Sequence, residues 1–336
     1  MNRIPSDNNR LRIFTWHIHG SYLFYLSQGD YDIYIPVTPS GGEGYYGRGQ
    51  TFPFGPNVIE VPVPLVKEMD FDCILFQSVR NFSLDQYEIL SEAQRRLPRI
   101  YVEHNTPDVH PTNTRHPMND PDVCLVHVTH FNKLMYHNEV PMVRVIDHGI
   151  TATDHDYTGE LERGLVIVNH LHERGRKLGG DLYDIVSKQL PVDLVGMGTQ
   201  PYGGLGEVLH PQLPAFRARY RFIFNPIRYT SLGLAVLEAM HQGIPVVALA
   251  TTEYVTVIKD GISGFIHTNI DYLISKMKLL LQNPSLAREL GQNGKVTAEE
   301  RFNIQRFVND WQECFLQTIH IHKSKHTYET QNSIYQ

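Results

Sequence analysis

The sequence predicts an α/β protein built from two facing Rossmann-like domains with a cleft between them. Short apolar runs rich in β-branched residues alternate with helix-like segments along most of the chain, the pattern of parallel sheets covered by helices. The series runs twice, before and after a polar stretch that ends near residue 164. The length, 336 residues, also exceeds one average domain of about 150 residues.

In the first series, strands are expected at LRIFTW (11–16), DIYIPV (32–37), NVIEVP (57–62), DCILFQ (72–77), RIYVEH (99–104) and VCLVHV (123–128). The segment SLDQYEILSEAQRRL (83–97) carries Leu84, Tyr87, Leu90 and Leu97 at helical spacing and predicts one amphipathic helix. PSGGEGYYGRGQTFPFGP (39–56) predicts a long loop, of a length that is usually functional or mobile. The second series comprises GLVIVNH, VDLVGMG, ARYRFIFNP, IPVVALA and GFIHT as strands, with helices at DLYDIVSKQL, LGLAVLEAMHQ and DYLISKMKLLLQ. Two further helices follow, with Phe302, Phe307 and Trp311 as an apolar stripe, and the polar end is expected to fray. The boundaries expected are 1–158 and 159–300 for the two domains, 301–320 for a helix crossing back to the first, and 321–336 for a polar tail.

A hydrophobic fraction of 41% and a charged fraction of 20% describe an ordinary globular protein, and a net charge of −6 argues against a general nucleic-acid binder. Cys73, Cys124 and Cys314 are odd in number and widely spaced, which fits a reducing compartment. With no signal-peptide core and no apolar run of about 18 residues, a cytoplasmic protein is expected, with at most weak peripheral membrane contact.

The chemistry concentrates in RYTSLGLAVLEAMHQGIPVVAL (228–249). Ser231 reads as an N-cap, Gly233 permits close approach of backbone to a ligand, Leu234, Leu237 and Met240 form a core stripe, and Gly243 suits the C′ position. Amides around Ser231, Leu232 and Gly233 at a helix N-terminus suit a phosphate. Glu238 lies five residues beyond Gly233, about 7–8 Å along a helix axis, the separation between a diphosphate and a ribose. A carboxylate here is also what an acid paired with a nearby arginine would give. The runs His17/His19 and His170/His172 lack cysteine or carboxylate partners at metal-site spacing, so no metal is expected.

The string LEAMHQGIPVVA (237–248) resembles the donor-binding segment of the family-4 retaining glycosyltransferases (glycosyl transferases group 1), whose fold is GT-B. The similarity continues through TTEYVTVIKDGISGF (251–265) and reaches back to VRVIDHGI (143–150), so the C-terminal half is covered almost throughout. The resemblance implies transfer of a sugar, with retention, from a nucleotide-diphospho-sugar to a hydroxyl of a glycan or lipid-linked acceptor, without a metal or other cofactor. Polysaccharide biosynthesis is the expected setting. It implies ribose binding by Glu238, phosphate binding near Ser231–Gly233, a diphosphate-stabilising pair at Arg174 and Lys177 with Arg176 as a competing choice, and His104 facing the sugar. Gly20, His19 and Arg48 fall to the acceptor and phosphate loops, and Gly196 to a turn near the base. The first motif glutamate of the family falls on Thr230, a departure that bears on the reacting centre and leaves a non-catalytic nucleotide-sugar or glycan binder as an alternative; a phosphorylase or epimerase of similar fold, sharing the cleft, is another.

Overall fold

The computed structural model describes residues 10–333, with side chains described from 10 to 325. These residues form two compact units: unit 1 takes 10–128, 133–146 and 305–333, and unit 2 takes 129–132 and 147–304.

Unit 1 contains β1 (Leu11–Thr15), β2 (Tyr31–Val37), β3 (Val58–Pro62), β4 (Cys73–Phe76), β5 (Arg99–Glu103), β6 (Thr114–Arg115), β7 (Val123–His127), β8 (Tyr136–His137) and β9 (Val143–Val145). Seven of these form one parallel sheet in the order β3-β2-β1-β4-β5-β7-β9, and β6 and β8 make a separate two-stranded ladder. Every residue of β4 and β7 is buried, as expected of central parallel strands covered on both faces. The helix Ile304–Ser333 supplies part of that cover: Phe307, Trp311 and Phe315 are fully buried, and Trp311 Nε1 donates to the Tyr22 hydroxyl at 3.0 Å. Each such phenylalanine stabilises its unit by about 1.5–3 kcal/mol through burial. The three cysteines are buried and unbridged.

Unit 2 contains β10 (Leu161–Ile167), β11 (Val192–Val195), β12 (Tyr220–Asn225), β13 (Val246–Leu249) and β14 (Phe265–His267), all parallel in the order β11-β10-β12-β13-β14. β12 is buried at all six positions, Arg221 included. Its guanidinium donates to the carbonyls of Gly159 (2.9 Å) and Leu281 (2.8 Å), which makes that burial tolerable. In both sheets the strand order reverses once, between β1 and β4 in unit 1 and between β10 and β12 in unit 2. Ligands of such sheets bind beyond the carboxyl ends of the strands at that reversal.

Several local expectations are corrected. Residues 83–97 do not form one helix. A π-helical turn, Asn81–Asp85, leads into Gln86–Ile89, the chain extends at Leu90, and Glu92–Arg95 starts afresh from a capping box of Ser91 and Gln94. Leu84 and Tyr87 of the expected apolar stripe are 55% and 61% exposed, because polar Asn81, Asp85 and Gln86 take the buried side, with Asn81 donating to the Asp85 carboxylate at 2.8 Å. The final helix runs on to Ser333, beyond the point where a frayed polar tail was expected. In the opening motif the helix is Leu234–His241 and its N-cap is Gly233 rather than Ser231. Gly243 does occupy C′ with φ +77°, its N–H donating to the Met240 carbonyl and that of Ile244 to Ala239.

Candidate functional site

In unit 2, the loops after β10 and β12 flank the strand-order reversal, and the chain staples them together. The Lys177 carbonyl accepts the N–H groups of Arg228 (3.0 Å) and Tyr229 (3.3 Å). Gly179 sits at φ +83°, where a Cβ would come within 2.1 Å of the Pro226 carbonyl oxygen, so only glycine allows the approach. Asp181 binds Arg228 through both carboxylate oxygens (2.6 and 2.8 Å) and Arg176 at 2.6 Å. The Arg228 guanidinium, with Arg176, lowers the Asp181 pKa and keeps it charged.

These contacts separate the basic candidates. Arg176 and Arg228 are engaged by Asp181, whereas Arg174 is exposed and forms no ion pair among the described residues. Lys177 is half-buried, with its Nζ 5.9 Å from the centroid of the Tyr229 ring. Thr230 is half-buried on the same β12 loop, followed by buried Ser231 and Leu232. The Gly233 N–H donates to the Tyr254 hydroxyl at 3.0 Å, so that amide already has a protein acceptor. Burial pushes the Tyr254 phenol up to about 12, which keeps it protonated.

Glu238 is 5% exposed and holds an arginine. Its Oε2 accepts from Arg217 Nη1 at 2.5 Å, while Oε1 lies 3.8 Å from His210 Nε2. Arg217, itself 3% exposed, also donates to Gln242 Oε1 (2.7 Å) and the Glu238 carbonyl (3.4 Å). The carboxylate is therefore an oriented, charge-compensated acceptor inside the helix.

Gly196 follows β11 at φ +141°, and a Cβ there would meet the Val168 carbonyl at 2.5 Å. Beside it, Met197 N–H donates to Asn169 Oδ1 at 2.9 Å, and Tyr202 stacks on His172 at 4.2 Å. His170 and His172 each bind one carboxylate, Glu173 and Asp184, and no cluster able to hold a metal occurs among the described residues.

In unit 1, His19 and His104 come together beyond the ends of β1 and β5, ring centroids 4.1 Å apart, with the Tyr22 ring 4.5 Å from His104. Burial pushes His19 down to about 4, so it is neutral at pH 7. Gly20 packs against the long loop, where an added Cβ would fall 2.4 Å from a Phe52 ring carbon. Arg48 ties that loop down: its N–H donates to Glu60 of β3 at 2.7 Å and its guanidinium to the Phe54 carbonyl. The loop is held down further by the contact of His17 Nδ1 with the Gly47 carbonyl (2.6 Å) and that of Trp16 Nε1 with the Tyr45 hydroxyl (3.3 Å), leaving Tyr46 45% exposed.

The structure thus gathers Arg174, Lys177 and Thr230–Gly233 at one reversal and His19, Gly20 and His104 in the other unit. Arg217, Asp181 and Tyr254 escaped the sequence reading. Arg217 precedes Glu238 by 21 residues, and no spacing rule links the two; only the fold brings them together.

Residues 205–297 match the model of the family described as "Glycosyl transferases group 1". A trehalose synthase of Thermococcus litoralis is 27% identical over 170 residues, which make up 51% of this chain and 35% of that protein, so the chain spans about a third of that relative's length. A sucrose-phosphate synthase structure from Thermosynechococcus elongatus superposes with a TM-score of 0.67 at 14% identity, covering 92% of this chain and 99% of that one. Anabaena HepE in complex with UDP and glucose superposes with a TM-score of 0.66 at 11% identity, covering 92% and 100%. The fold is therefore that of the GT-B glycosyltransferases.

Proposed function

We propose that the chain is a glycosyltransferase that moves a sugar, with retention, from a nucleotide-diphospho-sugar to a hydroxyl of a glycan or lipid-linked acceptor. The observation that carries this is the set at the unit 2 reversal. An exposed Arg174 and a half-buried Lys177 lie on the segment after β10, which the Lys177 carbonyl ties to the β12 loop; that loop leads into the helix holding a buried, oriented carboxylate, and the family match covers that carboxylate and its arginine. In this reading Arg174 and Lys177 bear on the diphosphate, where negative charge grows as the sugar–phosphate bond breaks. Fixed cations there stabilise the transition state more than the ground state. Thr230, Ser231, Leu232 and Gly233 border the phosphates, Glu238 accepts from ribose hydroxyls and Gly196 lies near the base. In unit 1, His104 serves the transferred sugar, and His19, Gly20 and Arg48 the acceptor side.

No protein nucleophile or general base is assigned: the leaving phosphate takes the acceptor proton as the new glycosidic bond forms on the same face. The reaction needs no metal in this scheme, and polysaccharide or glycoconjugate synthesis in the cytoplasm is the setting it suits. Thr230 at the place of the family's first glutamate favours one second reading, a protein that binds nucleotide sugar without turning it over.

The test is release of nucleoside diphosphate from UDP-, GDP- and ADP-sugars, with and without a panel of glycan acceptors. Acceptor-stimulated release from one donor, lowered at least tenfold in Lys177→Ala, supports transfer. Binding without release supports the second reading, and neither binding nor release refutes both.

A further inference from the structure

Beneath His104, unit 1 buries a carboxylate–imidazole pair that the scheme above leaves unused. Glu103 ends β5 and is 6% exposed, while His116 follows β6 and is 3% exposed. His116 Nε2 lies 3.0 Å from Glu103 Oε2. Its other nitrogen, Nδ1, accepts the Met118 N–H at 3.0 Å and so carries no proton. That contact fixes the tautomer: the ring proton is on Nε2 and is donated to the carboxylate. The second carboxylate oxygen, Oε1, accepts the Asn105 N–H at 2.8 Å. Glu103 therefore spans residue 104, gripping the chain on its far side while His116 grips the carboxylate.

The surroundings prevent the pair from swinging. The His116 ring is packed by Tyr136 at 4.8 Å, Tyr101 at 5.5 Å and His127 at 5.6 Å. His127 is fully buried, and its Nε2 donates to Asn138 Oδ1 at 2.8 Å. A buried carboxylate needs partners for both oxygens, and here the two partners are one imidazole and the amide just beyond His104.

We infer that Glu103 and His116 are positioning residues that set the turn carrying His104, and with it the direction of the His104 ring toward the sugar. The His104 role belongs to the proposed function, and the inference rests on that reading for its effect on rate but not for its effect on ring geometry. A merely structural pair would lower stability without selectively moving His104 or its contribution to turnover.

The experiment uses Glu103→Gln, His116→Gln, His104→Ala and the Glu103→Gln/His104→Ala double variant, in the full chain. Thermal unfolding establishes that each is folded, and calorimetric titration with the preferred nucleoside diphosphate reads unit 2. Histidine ring proton–carbon spectra, with the His104 signal assigned by its loss in His104→Ala, read the turn. The expected result is a displaced His104 signal in both single variants, nucleotide Kd unchanged within about twofold, and kcat about tenfold lower with little change in KM. The double variant is expected to be no slower than His104→Ala alone, since residues acting through one group are not additive. An unmoved His104 signal, or rate losses that multiply in the double variant, would overturn the inference. Should wild type show no turnover, the transferase reading fails while the His104 signal still decides the positioning claim. Should a glutamine variant not fold, the other glutamine variant decides it by the same signal.

Discussion

Replacing Arg217 by methionine keeps most of the side-chain stem and removes the guanidinium. Three contacts go with it: Glu238 Oε2 at 2.5 Å, Gln242 Oε1 at 2.7 Å and the Glu238 carbonyl at 3.4 Å. The side chains of Arg217 and Glu238 are only 4% and 6% exposed, so water cannot take over the ion pair. Removing one partner of a buried pair leaves an uncompensated charge, at a cost of about 3–5 kcal/mol. With a urea dependence of about 2 kcal/mol/M for a unit of this size, the midpoint of unit 2 falls by roughly 1.5–2.5 M. Both tryptophans, Trp16 and Trp311, lie in unit 1, so their fluorescence is a poor reporter of unit 2 and far-ultraviolet circular dichroism is the assay. Adding Glu238→Gln to Arg217→Met removes the stranded charge and is expected to recover part of the loss, making the double variant more stable than the sum of singles. A midpoint shift under about 0.5 M, or a double variant as unstable as the sum, would refute the view that Arg217 compensates Glu238.

Three further outcomes are expected. Burial pushes the imidazole of fully buried His127 down to about 4, from an unfolded value near 6.5. The unfolded chain then binds more protons between those values, so the His127 contribution is fully present above pH 6.5 and is lost as pH falls toward 4, by about 3 kcal/mol; unfolding at stepped pH checks this, and His127→Gln should flatten the slope. Gly179→Ala would place a methyl against the Pro226 carbonyl at a positive φ, and thermal unfolding should show a loss of about 1–3 kcal/mol together with weaker nucleotide binding, as the β10 and β12 loops part. Thr230→Glu restores the acid expected by the family resemblance, and donor turnover should rise at least tenfold, measured as nucleoside diphosphate release.

Much of the sheet architecture can be read from local signals. β4 and the VCLV run of β7 are uninterrupted apolar stretches because both their faces are covered, and Pro191, Gly196, Pro245 and Gly264 mark ends of β11, β13 and β14. The break within 81–95 was harder to see because its buried side is polar. Asn81 donates to the Asp85 carboxylate in the interior, a pairing that apolar periodicity does not register, although Ser91 and Gln94 form an S-x-x-Q box that the sequence displays. The candidate site divides in the same way. Glu238 and Gly233 stand out because each breaks its local pattern, whereas Arg174, inside the charged run ERGRK, is picked out only by the family resemblance. Arg217, Asp181 and His116 matter through contacts across long stretches of sequence, and a helix-surface arginine looks the same in sequence whether it meets water or a buried carboxylate. The expectation that Ser231 caps the helix failed by geometry alone, since the helix begins at Leu234 and Gly233 makes the turn into it.

In the proposed function, the unit 2 reversal binds a nucleoside diphosphate with Glu238 on its ribose. The most direct test of this is calorimetric titration of wild type and Glu238→Gln with UDP, GDP and ADP. One nucleotide is predicted to bind wild type clearly, and the glutamine variant, which keeps the shape but not the charge, to bind it about 1–3 kcal/mol more weakly. No binding of any of the three to folded wild type, or equal binding to both proteins, would contradict it.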